Sequence, residues 1–243
     1  MVIDDEPASA ADDNHTGRPA EASEDEKKRS FWKELPVLLV IAIVVALVVR
    51  TFVLQSFWIP SGSMEHTLER GDRVLVNKLV YEFTDPERGD VIVFKAPMEW
   101  RSNPEDEDFI KRVIAVGGDT VSYSRDEGRL SVNGRALDES AYLYHDPVSG
   151  AADLPSKDGY EFTVIVPEGR LWVMGDHRSA SGDSRENYIR SGRDVSSATI
   201  PVDSVVGHAF VVMWPFERFH WLTVPETFDA VPASRSERSA SRD

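Results

Sequence analysis

Asp108-Phe109-Ile110-Lys111-Arg112-Val113-Ile114-Ala115-Val116-Gly117-Gly118-Asp119 is an apolar segment carrying two adjacent cations and closed by paired glycines. Its Val, Ile and Phe content and its glycine stop predict a β-strand from Phe109 to Val116. Alternation places Phe109, Lys111 and Val113 on one face, so Lys111 shares its side with apolar neighbours. Burial disfavours an ammonium and lowers its pKa. Taken alone, a lysine reaching to the strand edge with its head in water is the simpler reading. As a base it needs the lowered pKa, because deprotonating an ordinary lysine at pH 7 costs roughly 4.6 kcal/mol.

Working outward, the same short Val/Ile-rich runs recur at Arg73 to Asn77, Asp90 to Lys95, Thr120 to Ser124, Arg129 to Val132, Glu161 to Val166, Arg170 to Met174 and Val205 to Trp214. Turn signals at Asp126-Glu127-Gly128, Asn133-Gly134 and Pro167-Glu168-Gly169 separate them. Little helical periodicity competes with this pattern, which predicts a mainly β domain built as a folded, barrel-like sheet. Met98 to Asp108 and Ala141 to Tyr160 are too polar and too rich in Pro and Gly for core strands and are expected to be loops. Two Arg-Gly-Asp tripeptides, at residues 70–72 and 88–90, each precede a Val/Ile strand and read as turns rather than adhesion motifs.

Two further segments carry chemistry-bearing residues. In Ile59-Pro60-Ser61-Gly62-Ser63-Met64-Glu65-His66-Thr67-Leu68, Ser63 follows a proline, a serine and a glycine. A tight turn there turns one hydroxyl and nearby backbone N–H groups toward a single carbonyl, although a polar turn between strands explains the segment equally well in isolation. Gly175-Asp176-His177-Arg178-Ser179-Ala180-Ser181-Gly182-Asp183-Ser184-Arg185 interleaves charged and small residues, as a solvated turn or a hydrogen-bonded site wall would. Of the histidines at 66, 145, 177, 208 and 220, His177 alone lies in such a polar segment, and a structural role serves it there. No histidine pair has zinc-protease spacing and no phosphate-binding loop is present, so neither a metal nor another cofactor is expected.

Composition narrows the class. A net charge of −15 without a basic stripe excludes nucleic-acid binding as the main activity. The absence of cysteine excludes disulfides, thiolate zinc sites and a cysteine nucleophile. Residues 1–30, rich in Asp, Glu, Ala and Ser, and residues 225–243, rich in Ser, Arg and Ala, are expected to be disordered tails.

Residues 31–54 are expected to form a membrane anchor and its interface segment. From Leu35 to Val49 the run is wholly apolar, and Phe31 to Val49 spans roughly 28 Å as a helix. It lacks the polar stripe of a core helix, and the bulky Arg50-Thr51-Phe52-Val53-Leu54 that follows argues against a cleaved leader. Lys27, Lys28, Arg29 and Lys33 precede the run, which predicts a cytoplasmic N-terminus and an extracytoplasmic domain over 55–224, with Phe52, Phe57 and Trp58 at the lipid interface.

Four stretches in order behind such an anchor resemble the bacterial type I signal peptidases, the leader-peptidase family of membrane-anchored Ser/Lys proteases. They are Pro60-Ser61-Gly62-Ser63-Met64, Arg88-Gly89-Asp90-Val91-Ile92-Val93-Phe94, Lys111 through Asp119, and Gly175-Asp176 through Asp183-Ser184-Arg185. The resemblance implies a serine endopeptidase of the cell membrane that removes signal peptides from preproteins after small residues, in an Ala-X-Ala pattern. It implies Ser63 as nucleophile and Lys111 as general base, Ser61 with the Ser63 N–H as oxyanion hole, and Ser181 hydrogen-bonded to Lys111. It further implies that Asp183 pairs with Arg112, that Arg185 and Asp176 support the same wall, and that Ile59, Pro60, Phe109 and Ile110 line the substrate groove. Its partners would be preprotein signal peptides and the lipid bilayer, and the resemblance allows association with the export machinery. His66 replaces a proline common in the family, and His177 stands where many members carry Asn. A self-cleaving repressor-type protease and a catalytically silent anchored binding domain are the rival readings.

Overall fold

The computed structural model describes residues 35–45, 47, 50, 53–156 and 159–234. Residues 35–45 form a helix, α1, every described residue of which is exposed. Among the described residues no helix is long and apolar enough to cross a membrane. Much of the expected anchor, including 31–34 and 51–52, lies outside the described residues, as does the expected tail over 1–30.

The β pattern is realised strand by strand. In chain order the strands are β1 (Leu54–Trp58), β2 (Arg73–Asn77), β3 (Val91–Lys95), β4 (Asp108–Ala115), β5 (Thr120–Ser124), β6 (Arg129–Val132), β7 (Arg135–Ala136), β8 (Phe162–Ile165), β9 (Arg170–Met174), β10 (Ile200–Pro201), β11 (Val205–Trp214) and β12 (His220–Trp221). Among the described residues one antiparallel sheet runs β1-β2-β11-β3-β4-β9-β10, with β12 on β11, and a second runs β7-β6-β5-β8. The order of the larger sheet is open, with edges at β1 and β10, so it is a folded sheet rather than a closed barrel. The β6–β7 hairpin turns through Asn133 and Gly134 with φ of 53° and 79°, the left-handed pair that Asn-Gly supplies at little cost.

β4 sits inside this sheet, paired with β3 through Val91↔Arg112 and Ile92↔Lys111 and with β9 from Arg112 onward. Alternation holds along it: Phe109 and Val113 join the apolar cluster of Ile92, Phe94 and Leu171, while Ile110 faces the cluster of Ile59, Met64, Leu68 and Val76. The smaller sheet packs Val121, Leu130 and Val164 against Trp172 and Met174 of β9.

Three expectations are corrected. Leu54 belongs to the sheet, since β1 pairs along its whole length with β2, and Phe57 packs on the core although Trp58 stays exposed. Its sequence, Leu54-Gln55-Ser56-Phe57-Trp58, lacks the Val/Ile alternation of the other strands and follows soon after the apolar run, which conceals the change from one element to the next. Two short helices follow β9: α2 (Ser184–Arg190), capped by the Asp183 side chain on Arg185 N, and α3 (Val195–Ala198), capped likewise by Asp194. The domain also continues past residue 224. Phe228 and Val231 are buried in the core of the smaller sheet, and Asn133 donates to the Pro232 carbonyl, so two apolar side chains suffice to tie down a segment of polar composition.

Phe228→Ala is therefore expected to destabilise the folded domain by about 3 kcal/mol, as truncation of a buried aromatic does. Urea denaturation of the two proteins measures it; an unchanged midpoint would return 225–234 to the status of a tail.

Candidate active site

The segment 59–68 is held as a loop by its apolar residues. Ile59, Met64 and Leu68 are fully buried pegs, and the loop closes through Ile59 N to the Asp72 carbonyl and Gly71 N to the Ile59 carbonyl, at 2.9 and 2.8 Å. Between the pegs, Glu65 N donates to the Gly62 carbonyl at 3.1 Å, the turn that the small residues permit. Ser63 is carried on this turn and is itself buried. Its backbone N–H donates to no group among the described residues.

β4 brings Lys111 to the same point. Its Nζ lies 2.7 Å from Ser63 Oγ and donates to the Ile110 carbonyl at 2.9 Å, with the Phe109 ring 5.5 Å away. Lys111 is 4% exposed and forms no ion pair among the described residues. Burial is the largest influence on it and lowers its pKa to about 8; Asp183 and Asp176 act in the opposite direction, and Arg185 adds to the lowering.

The two aspartates fail to hold the ammonium because arginines claim them. Arg112 grips Asp176 through Nε–Oδ1 at 2.9 Å and Nη2–Oδ2 at 2.7 Å, while Thr67 Oγ1 donates to Asp176 Oδ2 at 2.5 Å. Arg185 grips Asp183 through Nε–Oδ1 at 3.0 Å and Nη2–Oδ2 at 2.6 Å, and Gly175 N donates to Asp183 at 3.0 Å. Burial opposes ionisation of Asp183, yet Arg185 and these donors together hold its carboxyl below the usual range. Bidentate pairs of this kind are the strongest charge-assisted bonds a carboxylate makes. The expected pairing of Asp183 with Arg112 is thus corrected: Arg112 takes Asp176, and Asp183 takes Arg185. Arg112 projects from β4 beneath the Gly175–Asp176 backbone, whereas Asp183 as helix cap sits two residues from Arg185.

A third buried pair, Arg178 with Glu139, completes the wall, and Arg178 Nε also donates to the Gly175 carbonyl at 2.9 Å. Glu139, Thr67 and Tyr142, whose ring lies 4.5 Å from the Arg112 guanidinium carbon, had no signal in the sequence. They are local polar or aromatic residues far along the chain from the groups they contact.

Ser181 is buried in the same wall, but the expected bond to Lys111 is not formed. Its hydroxyl makes no well-aligned hydrogen bond among the described residues, though it lies near enough to Asp183 to help lower that carboxyl's pKa. Gly175 explains the tightness here, since a Cβ at that position would collide with both the Ser63 carbonyl oxygen and the Ser181 hydroxyl. An open groove of about 850 Å³ passes Pro60, Ser61, Ser63, Ile110, Lys111 and Ser181. Phe109 lines it too, whereas Ile59 is buried beneath and does not. Along this groove residues 108–111 of β4 pair with β3 on one side and lack a β9 partner on the other.

His66 has φ of 85°, which a proline ring cannot adopt, so this loop follows a backbone path that the replaced proline would forbid. Both Arg-Gly-Asp turns are structural: Asp72 is buried against Arg218, and Asp90 accepts from Tyr81 Oη at 2.8 Å.

Residues 32–214 match the family described as Signal peptidase, peptidase S26. A probable signal peptidase I of Mycobacterium leprae is 42% identical, over 83% of this chain and 86% of its own. The signal peptidase I of Mycobacterium tuberculosis is 40% identical over 90% and 86%, and that of Pseudomonas aeruginosa 36% identical over 77% and 72%. A solved signal peptidase I from Enterococcus faecalis aligns with a TM-score of 0.36 at 25% identity, over 51% of this chain and 97% of that one.

Replacing Lys111 tests its burial without reference to any reaction. Below pH 8 the lysine is charged in both folded and unfolded chains, and the folded chain bears the full desolvation cost, about 3 kcal/mol for a pKa lowered from 10.5 to about 8. That cost disappears as pH rises from 8 toward the unfolded value. Lys111→Met is expected to be the more stable protein at pH 6, by a margin that shrinks by pH 10; an equal or opposite difference at both pH values would refute the burial argument.

Proposed function

The chain belongs to the signal peptidases of peptidase family S26, serine endopeptidases that remove signal peptides from preproteins, and from this premise we propose that Ser63 and Lys111 are its nucleophile and general base. The observation that carries the proposal is the 2.7 Å approach of Lys111 Nζ to Ser63 Oγ in a buried setting that lowers the lysine pKa to about 8. At pH 7 a pKa of 8 leaves about one lysine in ten neutral, against about three in ten thousand at 10.5, a gain of roughly 300-fold in competent base.

Neutral Lys111 accepts the Ser63 hydroxyl proton as Oγ attacks the scissile carbonyl. The resulting oxyanion is received by the Ser63 N–H and the Ser61 hydroxyl. The protonated lysine then delivers its proton to the leaving amine, and water releases the acyl group from Ser63 by the reverse sequence. The unpartnered Ser181 hydroxyl supports a turning point for Nζ between these two tasks. Arg112 and Arg185 act by engaging the Asp176 and Asp183 carboxylates, so that neither pairs with the lysine. The preprotein lies extended along the open edge of residues 108–111, adding a strand there, with Pro60, Phe109 and Ile110 forming shallow pockets that favour Ala-X-Ala sequences.

The membrane placement belongs to the same proposal. The apolar run from Phe31 to Val49 anchors the chain in the lipid bilayer with 1–30 cytoplasmic and the β domain extracytoplasmic, beside the export machinery. The wholly apolar, fully exposed α1 and the four cations before it support this reading.

The test uses full-length protein in detergent and a preprotein with an Ala-X-Ala site. Parent protein is expected to cleave there, and Ser63→Ala and Lys111→Ala to lose at least a thousandfold. Parental kcat/KM should rise tenfold per pH unit up to about pH 8 and then level, because the productive lysine is the neutral form. Cleavage by Lys111→Ala, or a profile flat between pH 6 and 8, would remove Lys111 from the mechanism.

A further inference from the structure

His177 grips both peptide units that flank Ser63. Its backbone N–H donates to the Ser63 carbonyl at 3.1 Å, and its ring Nδ1 lies 3.1 Å from the Gly62 carbonyl and 2.8 Å from Glu65 Oε2. A carbonyl and a carboxylate both only accept, so Nδ1 carries the proton and donates to both. The ring is fixed independently by stacking on Tyr144, with centroids 3.7 Å apart and planes at 17°. On the far side Nε2 lies 3.9 Å from Asp153, and Glu65 is itself paired with Arg70 at 3.3 Å.

A trans peptide points its N–H opposite to its C=O. Holding the Gly62 carbonyl toward His177 therefore aims the Ser63 N–H away from it, and that N–H meets no partner among the described residues. Glu65 N–H already bonds the same carbonyl from within the loop, and the imidazole supplies a second donor from outside, which saturates the carbonyl and removes the plane's remaining freedom. Gly62 fits the arrangement because the Glu65 carboxylate occupies the space its side chain would fill.

We propose that His177 is a positioning residue: with Glu65 it locks the Gly62–Ser63 peptide plane and so pre-aims the Ser63 N–H at the oxyanion. This rests on the assignment of Ser63 as nucleophile. His177 touches no reacting atom, and its effect is confined to the state in which the oxyanion exists. Ground-state binding along β4 does not pass through it.

The variants are His177→Phe, which keeps a ring to stack on Tyr144 but has no donor, and His177→Asn, whose Nδ2 hangs from Cγ as Nδ1 does. Full-length proteins in detergent are compared by melting temperature, by kcat and KM on the preprotein, and by affinity for a peptide aldehyde that forms a tetrahedral adduct. His177→Phe is expected to lose 10- to 100-fold in kcat with KM within twofold, to lose aldehyde affinity in proportion, and to melt near the parent. His177→Asn should recover most of the loss. Parental kcat in His177→Phe, a loss confined to KM, or an Asn variant no better than Phe would overturn the role. Should His177→Phe not fold, His177→Asn decides alone: near-parental kcat and aldehyde affinity support positioning, and a loss of both despite a parental melt refutes it. Ser63→Ala separates the two claims. If it still cleaves, the nucleophile assignment fails; if it is inert while His177→Phe keeps its kcat, the positioning role alone fails.

Discussion

The site depends on two aspartates being unavailable to a lysine. Asp176 and Asp183 both lie close enough to raise the Lys111 pKa, and a free carboxylate there would favour its charged form. Arg112 and Arg185 prevent this by occupying both oxygens of each carboxylate. A guanidinium does so better than a second lysine, because its planar fork matches the carboxylate and never loses its proton. Burial outweighs the carboxylates at Lys111, and its pKa falls to about 8.

Those ion pairs also serve the backbone. Asp183 caps α2 and accepts from Gly175 N, Arg178 reaches the Gly175 carbonyl, and Arg112 bonds the Gly89 carbonyl at 2.8 Å. Gly175 is thereby held at both its N–H and its carbonyl against the Ser63 loop, at an approach so close that it has no room for a Cβ. Buried ion pairs are weak contributors to net stability, since desolvation offsets most of their attraction. Their value here is geometric: each guanidinium has several fixed donors, and breaking any one pair would strand an uncompensated charge.

Much of this was legible in the sequence because sheet burial imposes a period of two. β2, β5, β6, β9 and β11 fall where the Val/Ile runs and turn residues place them, and the motifs singled out Ser63, Lys111 and the Gly175–Arg185 segment, which the fold brings together. Elements without a periodic signal stayed hidden. β1, Leu54-Gln55-Ser56-Phe57-Trp58, has no alternation of apolar and polar residues, and α2 is too short for helical periodicity, its cap Asp183 being its sole marker. The choice of partner among two arginines and two aspartates was missed although one local signal existed: Asp183 and Arg185 are two positions apart, and once they pair Arg112 is left to Asp176. Glu139 and Thr67 were invisible because their contacts span 39 and 109 residues and follow from chain path alone.

The unfavourable features of the protein converge on one loop. Facing the Ser63 loop, the Lys111 ammonium is buried without a counter-ion and the Ser181 hydroxyl lacks a well-aligned partner; within the loop His66 adopts φ of 85° and the Ser63 N–H meets no partner among the described residues. Each costs on the order of 1–3 kcal/mol in isolation. None would persist in a loop free to relax, and this loop is not free: Ile59, Met64 and Leu68 lock it into the core on one side, while the Gly175–His177 backbone and the His177 ring hold it on the other. Burial of apolar residues in the surrounding sheets supplies the stability that such strain consumes.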